Sequence, residues 1–250
     1  MDKKRVVVFD FDECLGDFTM FYYYDIALNN NITYEFLSKM KFLRPNIQKI
    51  FNYLKRAKKI HNLSIILYTN AIYQVPRFIT TLLNNKYNTL FDFLITRYLF
   101  FIWSLPNKKW QYIDHLARIH DFNKSIYDIL KFVKNDKVPI IMFDDKIKNH
   151  NKNGYINKKS FEKKKIRYHT NHANANIYLI PTYEYKLSKN YKQKLLDYLA
   201  NNFLEFSSHD LKNLVKLFSN SRKNNKDYDT VEKILIHLRK FINTNQLKNK

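Results

Sequence analysis

The sequence predicts an α/β protein in which helices cover both faces of a mainly parallel β-sheet, forming three layers. Short runs rich in Val, Ile, Leu and Phe alternate with helix-like segments as far as residue 180, a pattern typical of successive strand–helix–strand units. These runs are continuously apolar rather than alternating, as expected for strands that are buried on both faces. A chain of 250 residues is long enough to bury the core that such a sheet requires.

Five apolar runs are predicted to be the strands of this sheet. In chain order they are Val6–Phe9, Ser64–Tyr68, Phe93–Thr96, Ile140–Phe143 and Asn176–Ile180. The first connecting helix is predicted within residues 44–59, where apolar residues recur at helical spacing and Pro45 suits the start of the helix. Its apolar stripe consists of Ile47, Ile50, Phe51 and Leu54. Two further helices are predicted over Val75–Leu83 and Ser125–Val133.

After Pro181 the strand-like runs stop and only helical patterns follow. Three helices are predicted there, over Lys189–Phe206, His209–Phe218 and Thr230–Ile242. The last has the clearest apolar stripe, and the spacing of Asp229 and Glu232 fits a capping box at its start. We therefore expect an α/β domain over residues 1–182 and a basic helical tail over residues 183–250. The tail either packs on the sheet or forms a partner-binding appendage.

The chain is strongly basic, with a formal net charge of +22 at pH 7. Such a charge attracts polyanions, whether nucleic acid, phosphoprotein or an anionic surface. The densest basic run, Lys146–His169, contains eight Lys and one Arg against one Glu. A solvated loop is the ordinary interpretation of such a run, and a cationic rim beside a binding site is the alternative.

Cysteine content and hydropathy favour an intracellular protein, in the cytoplasm or nucleus of its host cell. Cys14 is the single cysteine, so no internal disulfide can form, and the N-terminal sequence "MDKKR" lacks the apolar core of a signal peptide. The most apolar window, Leu90–Pro106, is interrupted by Asp92 and Arg97. It is too short to span a bilayer, so we expect no membrane span. The Tyr98–Leu105 segment is either buried or a binding patch, and we expect it to be buried.

Polar residues directly follow three of the predicted strands. Asp10 and Asp12 follow the first strand, Thr69 and Asn70 the second, and Asp144 and Asp145 the fourth. Lys124 precedes the helix that leads into the fourth strand. Because ligands of open parallel sheets bind outside the carboxyl ends of the strands, we expect all these residues to share one edge.

This set of side chains predicts phosphoryl-transfer chemistry with a divalent cation. Several carboxylates cannot remain ionised together unless a cation or proton offsets their repulsion. Mg²⁺, a hard cation that prefers oxygen ligands, is the natural occupant. One aspartate could then attack phosphorus while a protonated partner donates to the leaving oxygen. A lysine and a hydroxyl group would orient and neutralise the phosphoryl oxygens.

These motifs resemble those of the haloacid dehalogenase superfamily of phosphotransferases. "FDFDECLG" is similar to the D-x-D-x-T/V signature, in the D-L-D-E-T-L form of phosphatases that act on the RNA polymerase II C-terminal domain. "FLRPNIQKIFNYL", "YTNA" and "FDD" resemble further segments of that branch, so that the similarity runs over Val6–Ile180. The pattern also resembles phosphatase-like members of the superfamily carried by large DNA viruses. The resemblance implies a Rossmann-like fold and a phosphoric monoester hydrolase.

By position, the resemblance assigns a role to each of these residues. Asp10 would be the nucleophile that becomes an aspartyl-phosphate, and Asp12 the general acid and later the base for water. Thr69, with the backbone of Asn70, would bind the phosphoryl group, and Lys124 would stabilise its charge. The Mg²⁺ ligands would be Asp10, the backbone carbonyl of Asp12, and Asp144 or Asp145.

The chain departs from the family pattern at two positions, and one assignment has competitors. Cys14 replaces the usual Thr, and Asp145 stands where polymerase-tail phosphatases often have Asn. A cysteine-based mechanism is excluded because Met20 occupies the position where such phosphatases need Arg. Lys131 and Lys134 compete with Lys124, which is preferred because it leaves room for a whole helix before the fourth strand.

The spacing of the motifs favours a macromolecular substrate. Residues 13–68 are largely used by a flap and the first connecting helix, and residues 70–123 must include a helix and a strand, so no large cap domain fits between the motifs. An open site bordered by the basic run suits an anionic macromolecule. Three functions therefore remain: a Mg²⁺-dependent phosphatase of phosphoserine or phosphothreonine proteins, a phosphatase of nucleic-acid ends or nucleotides, and a non-catalytic module that binds nucleic acid or protein.

Overall fold

A computed structural model of the chain describes residues 4–12, 14–18, 33–39, 42–113, 124, 126–133, 138–145, 165–169, 174–180 and 227–243. Within them the strands are β1 (Arg5–Phe9), β2 (Leu63–Tyr68), β3 (Phe93–Ile95), β4 (Phe100–Ser104), β5 (Lys109–Tyr112), β6 (Pro139–Asp144), β7 (Lys165–His169) and β8 (Asn174–Leu179). The helices are α1 (Tyr34–Lys39), α2 (Ile47–Ile60), α3 (Gln74–Tyr87), α4 (Ile126–Val133) and α5 (Asp227–Asn243).

The strands form one sheet in the order β5-β4-β3-β2-β1-β6-β8-β7. All five predicted strands are present, as β1, β2, β3, β6 and β8, and their mutual pairings are parallel. Their spatial order is consistent with a Rossmann-like sheet. The protein is thus an α/β protein with a mainly parallel sheet, as the sequence predicted.

Three antiparallel strands that the sequence did not predict flank this parallel centre. β4 and β5 form a hairpin that pairs with β3, and β7 pairs with β8 at the opposite edge. β7 lies within the basic run Lys146–His169, so part of that run is a strand and not a loop. The segment Tyr98–Leu105 is only partly buried. Its buried residues include Phe100, Phe101 and Trp103, whereas Tyr98 and Leu105 are exposed.

The two faces of the sheet carry separate apolar clusters, because side chains alternate along each strand. Val7 and Phe9 of β1 belong to a large cluster that includes buried residues of α2, α3 and α5. Val6 and Val8 belong to a smaller cluster that contains the buried residues of α4. Helices therefore cover both faces of the sheet.

The four predicted helices that fall within the described residues are confirmed, with shifts at their ends. α2 buries Ile47, Ile50, Phe51 and Leu54, the predicted stripe. It begins at Ile47, so Pro45 lies in the preceding turn, and Asn46 adopts a left-handed conformation (φ 62°) there, which Asn tolerates better than most residues. α3 extends to Tyr87, beyond the predicted end at Leu83.

The tail was expected either to pack on the sheet or to form an appendage, and its helix α5 packs on the sheet domain. Its buried residues join the larger cluster; they are Val231, Ile234, Leu235, Leu238 and Ile242. It contacts α2 and β6. The helix begins at Asp227, so Asp229 lies in its first turn and does not cap it. The other two predicted tail helices lie outside the described residues. No helix in the described ranges is long and apolar enough to cross a membrane.

Candidate active site

The site lies at the carboxyl edge of the sheet, where β1 and β6 end side by side. Phe9 pairs with Phe143 in the parallel register, and the backbone N–H of Asp10 donates to the carbonyl of Phe143 at 2.9 Å. Asp10 is therefore level with Asp144, and Asp145 follows directly. The strand pairing itself thus brings the carboxylates together, as the positions of the motifs predicted.

Three carboxylates converge at this edge. Oxygen atoms of Asp10, Asp144 and Asp145 all lie within 4.8 Å of one another. The residues are only 6%, 1% and 9% exposed, respectively. Carboxylates at such distances repel one another strongly when they are ionised and shielded from water. The group therefore requires compensating positive charge.

Lys124 supplies part of that charge. Its ammonium nitrogen lies 2.5 Å from Oδ1 of Asp10 and 2.7 Å from Oδ2 of Asp144. Burial alone would lower the pKa of Lys124, but the attraction of Asp10 and Asp144 outweighs it, and the net effect is a raised pKa. Lys124 is therefore a fixed positive charge between two of the three carboxylates.

Lys131, one of the two competing lysines, contacts other residues. Lys131 lies 3.6 Å from Asp128 and over the ring of Phe100, on the face of the sheet that α4 covers. Lys134 lies outside the described residues. Of the two lysines that can be compared, Lys124 is the one that contacts the carboxylates.

The four side chains fit a hard divalent cation. Three ionised carboxylates and one ammonium group carry a formal charge of −2, which a single Mg²⁺ would balance. Clustered, buried carboxylate oxygens are the donor set that such cations prefer. Asp10, Asp144 and Asp145 could hold the ion. The sequence offered Asp144 and Asp145 as alternative ligands, and both belong to the group.

Thr69 lies at the end of the neighbouring strand. Leu67 pairs with Phe9, which places Thr69 one residue further along its chain than the level of Asp10. It is buried, and its Oγ1 accepts a hydrogen bond from the N–H of Ala71 at 3.0 Å. The hydroxyl hydrogen has no acceptor among the described residues. Thr69 can therefore donate to an anion at this edge.

Asp12 and Asn70 lie in the loops that follow β1 and β2. Asp12 is partly exposed, its backbone forms a β-bridge with Gly16, and its side chain is not a member of the carboxylate group. Asn70 offers its backbone carbonyl to Nε of Arg97 at 2.9 Å. Both residues thus lie in the loops at this edge, next to Asp10 and Thr69 in sequence.

The loop after β1 is fixed by two residues to which the sequence analysis assigned no role. Arg44 is buried, and its Nε donates to the carbonyl of Cys14 at 2.8 Å. Gly16 lies so close to the backbone of the segment that contains Phe42 that an added Cβ would be 2.2 Å from the carbonyl oxygen of Phe42. This close approach requires glycine, and it holds the loop that carries Asp12.

Cys14 is a buried thiol and is unsuited to act as a nucleophile. Burial, followed by the negative charge of Asp10, raises its pKa well above 9.0. Its Sγ lies 3.6 Å from the carbonyl oxygen of Phe143. A thiol with a raised pKa remains protonated and unreactive at neutral pH.

Arg97 is a further basic residue near the site. Its guanidinium holds the carbonyl of Asn70, and its backbone N–H donates to the carbonyl of Ala71 at 3.2 Å. Both bonds stabilise the loop that follows Thr69. This role could not be predicted from the sequence, since Arg97 is separated from Asn70 by a helix and a strand.

Comparison with known proteins adds no relatives: no protein-family model, no curated protein and no solved structure matches the chain. The functional conclusion therefore depends on the geometry of the site.

Proposed function

We propose that the protein is a Mg²⁺-dependent phosphatase of the haloacid dehalogenase type, acting through an aspartyl-phosphate. The observation that supports this most directly is the convergence of Asp10, Asp144 and Asp145 with Lys124 at the carboxyl edge. Thr69, at the end of the adjacent strand, adds a hydroxyl donor. Nucleophile, acidic metal ligands and cationic stabiliser are the components that phosphoryl transfer requires.

In this proposal the aspartates carry out the chemistry in two steps. A carboxylate oxygen of Asp10 attacks phosphorus, and the bond from phosphorus to the substrate oxygen breaks. Asp12 donates a proton to that leaving oxygen. Asp12 then accepts a proton from water as the water oxygen attacks phosphorus, which releases inorganic phosphate and regenerates Asp10.

The remaining residues bind and neutralise the phosphoryl group. The ammonium group of Lys124 offsets charge on the phosphoryl oxygens, and the hydroxyl of Thr69 donates a hydrogen bond to one of them. When bound by Asp10, Asp144 and Asp145, Mg²⁺ would neutralise developing charge on the transferred group. Burial of these residues strengthens each of these interactions, because the local dielectric constant is low.

The best-supported substrate is a phosphomonoester of a macromolecule, in particular phosphoserine or phosphothreonine in a protein. Between β2 and Lys124 the described chain consists of α3, β3 and the β4–β5 hairpin. These elements extend the sheet and its helical cover and do not form a separate cap. An uncapped site would be accessible to a large substrate, and the net charge of +22 would attract an anionic one.

Hydrolysis of a small aryl phosphate tests the proposal. We expect Mg²⁺-dependent turnover that EDTA abolishes, and a loss of at least about 10³-fold in kcat for Asp10→Asn, since that variant lacks the nucleophile. Asp229→Asn makes the same charge change at an exposed position of α5 and should retain full activity. Absence of metal-dependent turnover in the wild-type protein would leave the non-catalytic binding module as the explanation.

Phosphatase activity on nucleic-acid ends or nucleotides is the second candidate, favoured by the same net charge of +22. Rates on phosphoserine peptides and on oligonucleotides with 3′- or 5′-phosphates distinguish the two. A higher kcat/KM for the peptides supports the first proposal, and a higher value for the oligonucleotides supports the second.

A further inference from the structure

A cavity of about 420 Å³ lies between α2 and α5. α2 contributes Lys49, Asn52, Tyr53 and Arg56, which share one side of the helix by their spacing. α5 contributes Glu232, Leu235 and Arg239. None of these residues belongs to the carboxylate site. The volume is in the range of sites that bind small molecules.

The lining of this cavity has excess positive charge. Lys49, Arg56 and Arg239 oppose Glu232 alone, giving a formal charge of +2. The ammonium group of Lys49 lies 2.7 Å from Oε1 of Glu232, and this contact lowers the pKa of the Glu232 carboxyl. The one acidic side chain is therefore already engaged by the nearest cation.

Hydrogen-bond donors in the cavity outnumber the partners that the described chain offers them. The guanidinium of Arg239 lies over the ring of Tyr53, 5.9 Å from its centre, which leaves its N–H groups available. Arg56, Asn52 and the hydroxyl of Tyr53 have no hydrogen-bond partner within the described ranges. Arg56, Asn52 and Arg239 are exposed, so water can satisfy these donors. A phosphate, which guanidinium groups bind through paired N–H donors, can take the place of that water.

We propose that the groove between α2 and α5 binds a phosphate-bearing organic anion, with its phosphate held by Arg56 and Arg239. The half-buried ring of Tyr53 and the side chain of Leu235 offer apolar surface to the rest of the ligand. A free nucleotide and a phosphorylated residue of a peptide share this chemistry. The site is separate from the proposed catalytic centre, and the proposal does not depend on phosphatase activity.

Titration calorimetry of the whole chain in EDTA, at about 0.15 M salt to screen diffuse attraction, tests this site. Without a divalent cation, the carboxylates of Asp10, Asp144 and Asp145 oppose phosphate binding at the other site. The probes are inorganic pyrophosphate, ADP and a phosphoserine peptide. We expect saturable binding of pyrophosphate at one site per chain, with ADP tighter if the source is a nucleotide and the peptide tighter if it is a phosphoprotein.

A matched pair of double variants locates the binding. Arg56→Gln with Arg239→Gln should weaken pyrophosphate binding by about tenfold or more, because two charge-assisted contacts are lost. Lys59→Gln with Lys233→Gln removes the same charge from exposed positions of the same helices and should change the affinity less than about twofold. Equal losses in both pairs, or no saturable binding by the wild-type chain, would overturn the proposal.

A third double variant controls for misfolding. Arg56→Lys with Arg239→Lys keeps the charge but removes the paired N–H donors, and the thermal unfolding midpoint of each variant is measured without ligand. We expect the lysine variant to retain the wild-type midpoint and to bind pyrophosphate at least about threefold more weakly. Undiminished affinity in this variant would contradict the assignment to the guanidinium groups.

Discussion

The ammonium group of Lys124 lies between the carboxylates of Asp10 and Asp144, and all three side chains are largely buried. The sequence could predict that the aspartates meet, because consecutive parallel strands end at one edge. It favoured Lys124 but left Lys131 and Lys134 as competitors, since all three precede β6 at plausible distances. Two other contacts could not be predicted from the local sequence. Arg44 contacts Cys14, 30 residues away, and Arg97 contacts Asn70, 27 residues away.

Lys124→Gln should destabilise the protein more in EDTA than in Mg²⁺. Without the ammonium group, three buried carboxylates lose their cationic partner, and we expect the free energy of unfolding to fall by about 3 kcal/mol in EDTA. Mg²⁺ should then recover more stability in the variant than it adds to the wild-type protein. Urea unfolding with and without Mg²⁺ measures both effects.

Lys59→Gln is the control for that experiment, because Lys59 is exposed on α2. It should change the free energy of unfolding by less than about 0.5 kcal/mol in either condition. If Mg²⁺ stabilised wild type and Lys124→Gln equally, Lys124 would not be compensating the carboxylates that are assigned to the metal.

Cys14 should make stability fall at alkaline pH. Its pKa is raised in the folded state above the ordinary value of 9.0, so above pH 9 the unfolded chain releases a proton that the folded chain retains. The contribution of Cys14 is complete below pH 9 and declines by up to about 1.4 kcal/mol per pH unit above it, until the folded pKa is reached.

Cys14→Ser isolates this effect, because a hydroxyl group does not titrate in this range. The difference in unfolding free energy between wild type and Cys14→Ser should be constant between pH 7 and 8.5 and should shift against the wild type above pH 9. A difference that stays constant up to pH 10.5 would show that the thiol ionises equally in both states.

At the scale of elements, continuous apolar runs predicted the parallel strands, whereas polar composition concealed the two edge strands β5 and β7. β5 has the sequence KWQY and β7 the sequence KIRYH, and neither has the run of Val, Ile or Leu that marked the other strands. Both are edge strands that receive their conformation from the pairing partner, β4 or β8. Such tertiary pairing overrides local propensity and cannot be derived from a short segment alone.

Leu238→Ala should show that α5 is part of the sheet domain. Leu238 is fully buried in the larger cluster, and its truncation should cost about 2–4 kcal/mol. Ile236→Ala, on the same helix but 58% exposed, should cost less than about 0.5 kcal/mol. Chemical denaturation that gave similar small losses for both would indicate that α5 contributes little to the stability of the fold.

At the scale of the whole molecule, the excess of 44 Lys and Arg over 22 Asp and Glu contrasts with the acidic group at the carboxyl edge. These carboxylates are buried around Lys124, whereas Lys and Arg side chains generally lie on the surface. An anionic substrate would therefore be attracted by the surface before it reaches the site.

Salt should consequently affect large and small substrates differently. Raising NaCl from about 0.05 to 0.5 M should lower kcat/KM for an acidic phosphopeptide by about tenfold, because screening weakens long-range attraction. For a small aryl phosphate the change should be less than about twofold. Parallel salt dependences for the two substrates, measured in the same Mg²⁺ buffer, would show that surface charge does not guide the substrate.

The position of α5 in the chain also affects how the protein is made. Every described strand has been synthesised once Leu179 is added, but the part of the larger apolar cluster that α5 covers stays open until Asp227–Asn243 has been made. At about 5–20 residues per second this interval lasts about 3–13 seconds. During this interval the nascent chain would expose apolar surface, to which chaperones that act during translation could bind.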